Sequence, residues 1–192
     1  MDAHGLSGLT FACALPAERR AAKRLGPTAL MGMGVCNGVP EGRLVSFGVA
    51  GALRDDLEVG TVIDATKVVD ESGEVLWEGG PLGVRGARPG TILTASRIVD
   101  GAAERRRLHT ETGADAVDME TGILARSGRL AGVIRAVSDS PTRQLGPLVR
   151  AFGPDGSVHV AGLVRAFATA PRESARAARD VTKALKALRS VA

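Results

Sequence analysis

The sequence predicts one α/β domain running over residues 1–192. Short apolar runs rich in Val, Ile and Leu alternate with segments of helical periodicity along the whole chain. Hydrophobic residues make up 44% and charged residues 24%, which suits a globular chain of 192 residues with a core of its own. Two of the apolar runs end on carboxylates, at Ala116-Val117-Asp118-Met119-Glu120 and Ile134-Arg135-Ala136-Val137-Ser138-Asp139. A charge just past a buried strand is not needed to fill a core. Two such acids on consecutive strands are expected to meet at one sheet edge, where open α/β sheets bind ligands.

Leu9 to Leu15 reads as a buried first strand, and Pro16 with Glu18 opens a short helix that Gly26-Pro27 breaks. Thr28 to Met33 is a second strand. Gly32, Gly34 and Gly38, with Pro40 and Gly42, mark an open loop. Leu44 to Ala50 is a third strand, and the small residues of Gly48-Val49-Ala50-Gly51 allow a ligand close to the backbone. Val62 to Val69 and Val75 to Trp77 form a hairpin across Glu71-Ser72-Gly73-Glu74, with Trp77 packing on it. Pro81 to Gly90 is loop, and Thr91 to Ala95 is strand. Ala102 to Leu108 is helical, with Arg105, Arg106 and Arg107 expected on a solvated face. After a strand ending at Val117, a helix is expected from Met119 to Leu130 with Ile123, Leu124 and Leu130 toward the core. Gly132 to Val137 is the last strong strand. Helices are expected around Leu148–Phe152, around Val160–Phe167, and from about 172 to 190. In the last of these, Ala178, Val181, Leu185 and Leu188 recur at spacings of three and four. Aromatic residues are only 3%, with no Tyr, so the core is expected to gather around Phe11, Phe47, Phe152 and Phe167.

Composition narrows the function classes. The formal charge of +4 resides wholly in the tail, where Arg172, Arg176, Arg179, Lys183, Lys186 and Arg189 face only Glu173 and Asp180. The remainder is neutral, and with few aromatics for stacking no nucleic-acid partner is expected. No run of roughly 18 apolar residues predicts a membrane span. The start lacks a basic, then apolar, leader, and two cysteines do not make a secreted disulfide scaffold, so a cytoplasmic location is expected. Cys13 reads as a small buried hydrophobe. His4, His109 and His159 are scattered and no His/Cys spacing suits a metal, so none is expected. There is no Gly-x-Ser-x-Gly elbow and no Walker loop, and the glycines from Gly32 to Gly38 miss the dinucleotide fingerprint.

Acids alone at a helix start or a turn have ordinary structural explanations. Asp118, Glu120 and Asp139 together, with Arg135 nearby and Glu18 just after the first strand, favour a polar small-molecule site. Three acids suit cleavage of a glycosidic bond, which passes through a cationic, oxocarbenium-like sugar. One can hold sugar hydroxyls, one can protonate the leaving group, and one can orient water.

These motifs, in this order, resemble the nucleoside phosphorylase and nucleosidase superfamily, within it the methylthioadenosine/S-adenosylhomocysteine nucleosidases and nearest the hopanoid-associated subgroup. The resemblance rests on Ala14 to Glu18, Phe47 to Leu53, Leu57 to Val62 and, most strongly, Gly113 to Ser140. Asp155 to Val158, Leu163, Pro171 and Arg172 add to it. It implies a three-layer phosphorylase-like fold with a mixed, twisted central sheet flanked by helices. It implies that Asp139 protonates the purine at N7, with Ser138 orienting it. Glu120 would bind the ribose hydroxyls and Met119 would pack on the ribose face. Glu18 would position water, close to Arg135, while Ile98 and Val99 would line the base pocket. Val49 stands where a Ser is frequent, beside Ala50 and Gly51, and Asp118 replaces a common Glu. The resemblance further implies a purine nucleoside as partner, no cofactor, no metal and a homodimer.

The N-terminal strand-loop-strand region is shorter than the family pattern. Only Val35 to Arg43 separates the second strand from the Gly-Val-Ala-Gly strand, too little for a crossover helix between parallel neighbours. Either these strands pair differently or this edge is pared down. Arg19, Arg20 and Arg43 keep phosphate open as an acceptor in place of water, and a catalytically silent nucleoside binder is the other alternative.

Overall fold

The computed structural model describes residues 7–147 and 159–191, and in it the apolar runs become strands. β1 (Leu9–Cys13) leads into α1 (Pro16–Ala22), β2 (Thr28–Leu30) and a 3₁₀ turn at Met33–Val35. β3 (Arg43–Ala52), β4 (Val62–Val69), β5 (Val75–Glu78) and β6 (Arg88–Thr94) follow. The chain continues through α2 (Ala102–Thr112), β7 (Ala116–Asp118), α3 (Thr121–Arg126), β8 (Leu130–Asp139), α4 (Val160–Thr169) and α5 (Pro171–Ser190).

The eight strands among the described residues form one mixed sheet. β2, β1, β3 and β8 run parallel. β4 is antiparallel to β8, and β6 and β7 run parallel to β4. β7 then meets β3 in antiparallel register through Gly51–Val117 and Ala52–Ala116. Strands β3, β8, β4, β6 and β7 therefore close a ring, and β5 pairs with the far end of β4. The sheet is mixed and flanked by helices, as expected, but it is not open where the acids lie.

The short N-terminal link has a topological answer. β2 and β3 are not neighbours, because β1 lies between them and pairs with both. Residues 31–42 return the chain past β1 with a 3₁₀ turn in place of a helix. Both alternatives hold together: the strands pair differently and the edge is pared down.

Side chains alternate across the sheet. On one face Phe11 and Phe47 meet edge to face, with ring centroids 5.7 Å apart, among Ile134, Ala21 and Ala22 of α1, and Ala184 and Leu188 of α5. On the other, Leu44, Ile63, Val68 and Val133 pack with Leu124 and Ala125 of α3, and Trp77 lies against them. A third cluster joins Leu53, Leu93 and Val99 to Leu108 of α2. Cys13 is buried. On α5, Ser174, Ala177, Ala184 and Leu188 are buried, with Ala178, Val181 and Leu185 half-buried beside them.

Three expectations need correction. The helix expected from Met119 to Leu130 is only Thr121–Arg126, because Gly128 adopts φ +71° and ends it, and Leu130 begins β8. Ile123 is consequently exposed while Leu124 is core. Phe167 is not a core residue either, since it shares an exposed stripe of α4 with Val160 and Val164. Phe152, the helix expected around it and the Asp155 to Val158 stretch lie outside the described residues. Among the described residues no helix is long and apolar enough to cross a membrane.

Candidate active site

Gly51 marks where the ring closes. It stands in register with Val117 of β7 and with Asp139 of β8. β7 and β8 run in opposite senses, and the acids meet where the ring closes and not at the open sheet edge that was expected. They meet because β7 is only three residues long. Beside this junction is a cleft of about 160 Å³. Glu18, Val49, Ala50, Gly51, Ile98, Val99, Asp118, Met119, Glu120, Ser138 and Asp139 all line it. Arg135 does not; it is buried behind the acids.

Glu18 is held as local sequence dictates. Pro16 opens α1, and Glu18 at its third position reaches back to the amides that the helix start leaves unpaired. Its Oε2 accepts from Ala14 N (3.0 Å) and Leu15 N (2.8 Å), and its Oε1 accepts from Val49 N at 2.8 Å. Only 2% of the residue is exposed, so it is not the solvated first-turn Glu that a helix start would ordinarily carry. Burial pushes its carboxyl up, opposed by Arg135 and by the three amides. Gly48 makes this packing possible: a Cβ there would sit 2.5 Å from Glu18 Oε1 and collide with Arg135 Nη1.

Arg135 is a buried cation behind the site. Its Nη2 pairs with Asp118 and donates to Ser46 Oγ (2.7 Å) and Thr121 Oγ1 (2.9 Å). Asp118 also accepts from Thr121 Oγ1 and, at 3.2 Å, from Thr121 N, tying β7 to the start of α3. Glu120 Oε1 accepts from Gly34 N at 2.9 Å, so the shortened loop does reach the site. Burial, then the nearby Asp118, pushes Glu120 up to about 7, while Arg135 and the Gly34 amide oppose the rise. The loop is strained to do this. Val35, a β-branched residue, sits at φ +60°, a conformation that costs about 1–3 kcal/mol.

Asp139 is 2% exposed. Ser138 Oγ donates to its Oδ1 at 2.7 Å, and the Arg105 guanidinium lies 2.5 Å from its Oδ2. Arg105 corrects the expectation of a solvated arginine face on α2. Arg106 and Arg107 are exposed and pair with Asp55 and Glu111, but Arg105 is buried. The sequence carried the signal: Ala102, Arg105 and Leu108 are three apart and share one helix stripe. Met33, Arg97, Leu145 and Val181 also line the cleft without having been predicted. They come from loops and from α5, whose positions no local pattern fixes.

An apolar-walled cleft with a hydrogen-bonded base, a carboxyl near neutrality and a third acid can move protons and hold hydroxyls around one small molecule. Among the described residues no group of three His, Cys, Asp or Glu side chains fits a metal ion.

The chain resembles solved nucleosidases over nearly its whole length. Futalosine hydrolase of Helicobacter pylori superposes with a TM-score of 0.57 at 15% identity, covering 98% of this chain and 98% of that one. The fold is the nucleosidase fold. The 5′-methylthioadenosine/S-adenosylhomocysteine nucleosidase (MTAN) of H. pylori gives 0.56 at 16% identity, over 95% and 96% of the two chains. The Chlamydia trachomatis MTAN bound to MTA gives 0.61 at 15% identity, over 95% and 94%. The family model of the phosphorylase superfamily matches residues 82–169, a stretch that holds Asp118, Glu120, Arg135 and Asp139 but not Glu18. No curated protein matches the sequence.

Proposed function

We propose that the chain is a purine nucleosidase that hydrolyses the N-glycosidic bond of a 5′-substituted adenosine and releases adenine. The substrate is of the methylthioadenosine, S-adenosylhomocysteine or adenosylhopane kind, and the whole chain works as one cytoplasmic domain without a cofactor. The observation that carries this reading is the convergence of Glu18, Glu120 and Asp139 on one cleft. Asp139 gives a proton to purine N7, with Ser138 Oγ fixing the carboxyl at 2.7 Å. The bond from C1′ to N9 breaks, leaving an oxocarbenium-like ribosyl group. Glu120 holds the ribose hydroxyls and Met119 covers the sugar face. Glu18, raised by burial, takes the proton of the water that attacks C1′. Ile98 and Val99 line the base side. Ile98 lines the cleft and is apolar and exposed, which favours a homodimer covering it.

Water suits the site better than phosphate. Arg19, Arg20 and Arg43 are exposed and none lines the cleft. The cations that do line it, Arg97 and Arg105, are paired with Glu104 and Asp139. Adenine release from methylthioadenosine is expected in phosphate-free buffer, with no acceleration on adding inorganic phosphate. Strict dependence on phosphate would make the chain a phosphorylase.

A further inference from the structure

Arg105 has no part in the chemistry above, yet it is among the most enclosed charges in the protein. Its side chain is 4% exposed and its Asp139 partner's 2%. An isolated buried ion pair is a poor source of stability, and an apolar side chain of similar volume would serve a cluster such as Leu53, Leu93, Val99 and Leu108 at least as well. The guanidinium instead makes three attachments on three elements. Nε donates to Val99 O at 2.9 Å, in the loop that forms the base wall. Nη1 donates to Ala52 O at 3.4 Å, at the end of β3. Nη2 lies 2.5 Å from Asp139 Oδ2, at the end of β8. Gly51 makes room for this, since a Cβ there would be 3.2 Å from both Nη atoms and from Asp139 Oδ2.

One detail separates this contact from a plain structural tie. Asp139 Oδ2 is buried and close to a cation but accepts no aligned hydrogen bond. Its partner supplies charge and leaves a lone pair uncommitted beside the cleft.

We infer that Arg105 is a positioning residue for Asp139, fixing Oδ2 against the base wall and stabilising the carboxylate that forms when the proton passes to the purine. This rests on the nucleosidase reading. Asp139 loses its O–H bond as N7 gains an N–H bond, so negative charge appears on Oδ2 in the transition state. A fixed cation 2.5 Å away favours that state over the protonated ground state. The other charged groups around the cleft are Glu18 from α1, Arg97 (paired with Glu104) from the loop after β6, and Asp118 and Glu120 from the β7–α3 turn. α5 contributes only the apolar Val181.

The test uses two substrates with the same 5′-methylthioribose: methylthioadenosine, and the corresponding p-nitrophenyl riboside, whose leaving group departs without a proton. Arg105→Met is expected to lower kcat for adenine release about 100-fold but for nitrophenol release less than about threefold. Arg105→Lys should restore part of the difference. Equal losses on both substrates, or no loss on either, would overturn the inference and leave Arg105 as packing. Should Arg105→Met not fold, the ratio of the two kcat values in Arg105→Lys decides by the same criterion. If the unaltered protein releases neither adenine nor nitrophenol, it is the nucleosidase reading that fails.

Discussion

Replacing Glu120 with Gln should make the protein more stable at neutral pH and less dependent on pH. Burial and the proximity of Asp118 raise the Glu120 carboxyl from 4.5 to about 7. The folded chain therefore keeps a proton that the unfolded chain has already lost. Stability must fall as pH rises from about 4.5, and the fall ends once the folded-state group has ionised near 7. The gap amounts to about 3 kcal/mol at about 1.4 kcal/mol per tenfold change in proton affinity. Gln carries no charge at any pH and keeps a carbonyl oxygen for the Gly34 amide, which now donates to Glu120 at 2.9 Å. Urea unfolding of both proteins from about pH 4 to about pH 8 measures the effect. The variant should gain about 3 kcal/mol on the wild type across that range, since ionisations elsewhere occur in both and cancel. A difference that stays constant, or grows in the wild type's favour, would show that Glu120 is ionised at little cost and refute the reasoning.

Gly48→Ala should cost about 1–3 kcal/mol of stability, as overpacking does, and lower adenine release at least about tenfold by pushing Glu18 off the Val49 amide. Full activity with an unchanged fold by circular dichroism would mean that Glu18 is not needed where it is. Asp139→Asn can still meet Ser138 but has no proton to give, so kcat should drop by about 10²–10⁴ while calorimetry still detects nucleoside binding. Unchanged turnover would remove Asp139 from the chemistry, and binding with no turnover in the wild type would leave the silent alternative standing.

Most strands could be read directly, because β1, β3, β4 and β8 are rich in apolar residues and bounded by glycine, proline or charge, and such segments have few other uses. Where the reading missed, the cause was tertiary. Only Ser127-Gly128-Arg129 separates α3 from β8, and the left-handed turn at Gly128 divides them. The pairing of β1 between β2 and β3 involves segments far apart in sequence, so a short link looked like a missing helix. At the site, the acids were visible because charge after a buried strand is unusual. Arg105 was not, because a run of three arginines on a helix reads as solvent-facing unless its phase against Ala102 and Leu108 is checked. Leu145 and Val181 reach the cleft from the turn after β8 and from α5, and nothing local in the sequence foretells either.

β8 is paired along both sides, with β3 from Leu44 to Gly51 and with β4 from Val62 to Ala65. Its amides between Val133 and Ala136 have no free edge, and hydrogen exchange there should await opening of the whole ring. Arg135 thus rides on the least yielding piece of backbone, and Ser138 and Asp139 follow at the end of the same strand, paired there with β3. Divergence toward new ligands would have to work through the periphery, at Leu15, Met33, Ile98 and Leu145, leaving the charged machinery untouched. A scaffold arranged this way can change what it accepts without relearning how to break a bond.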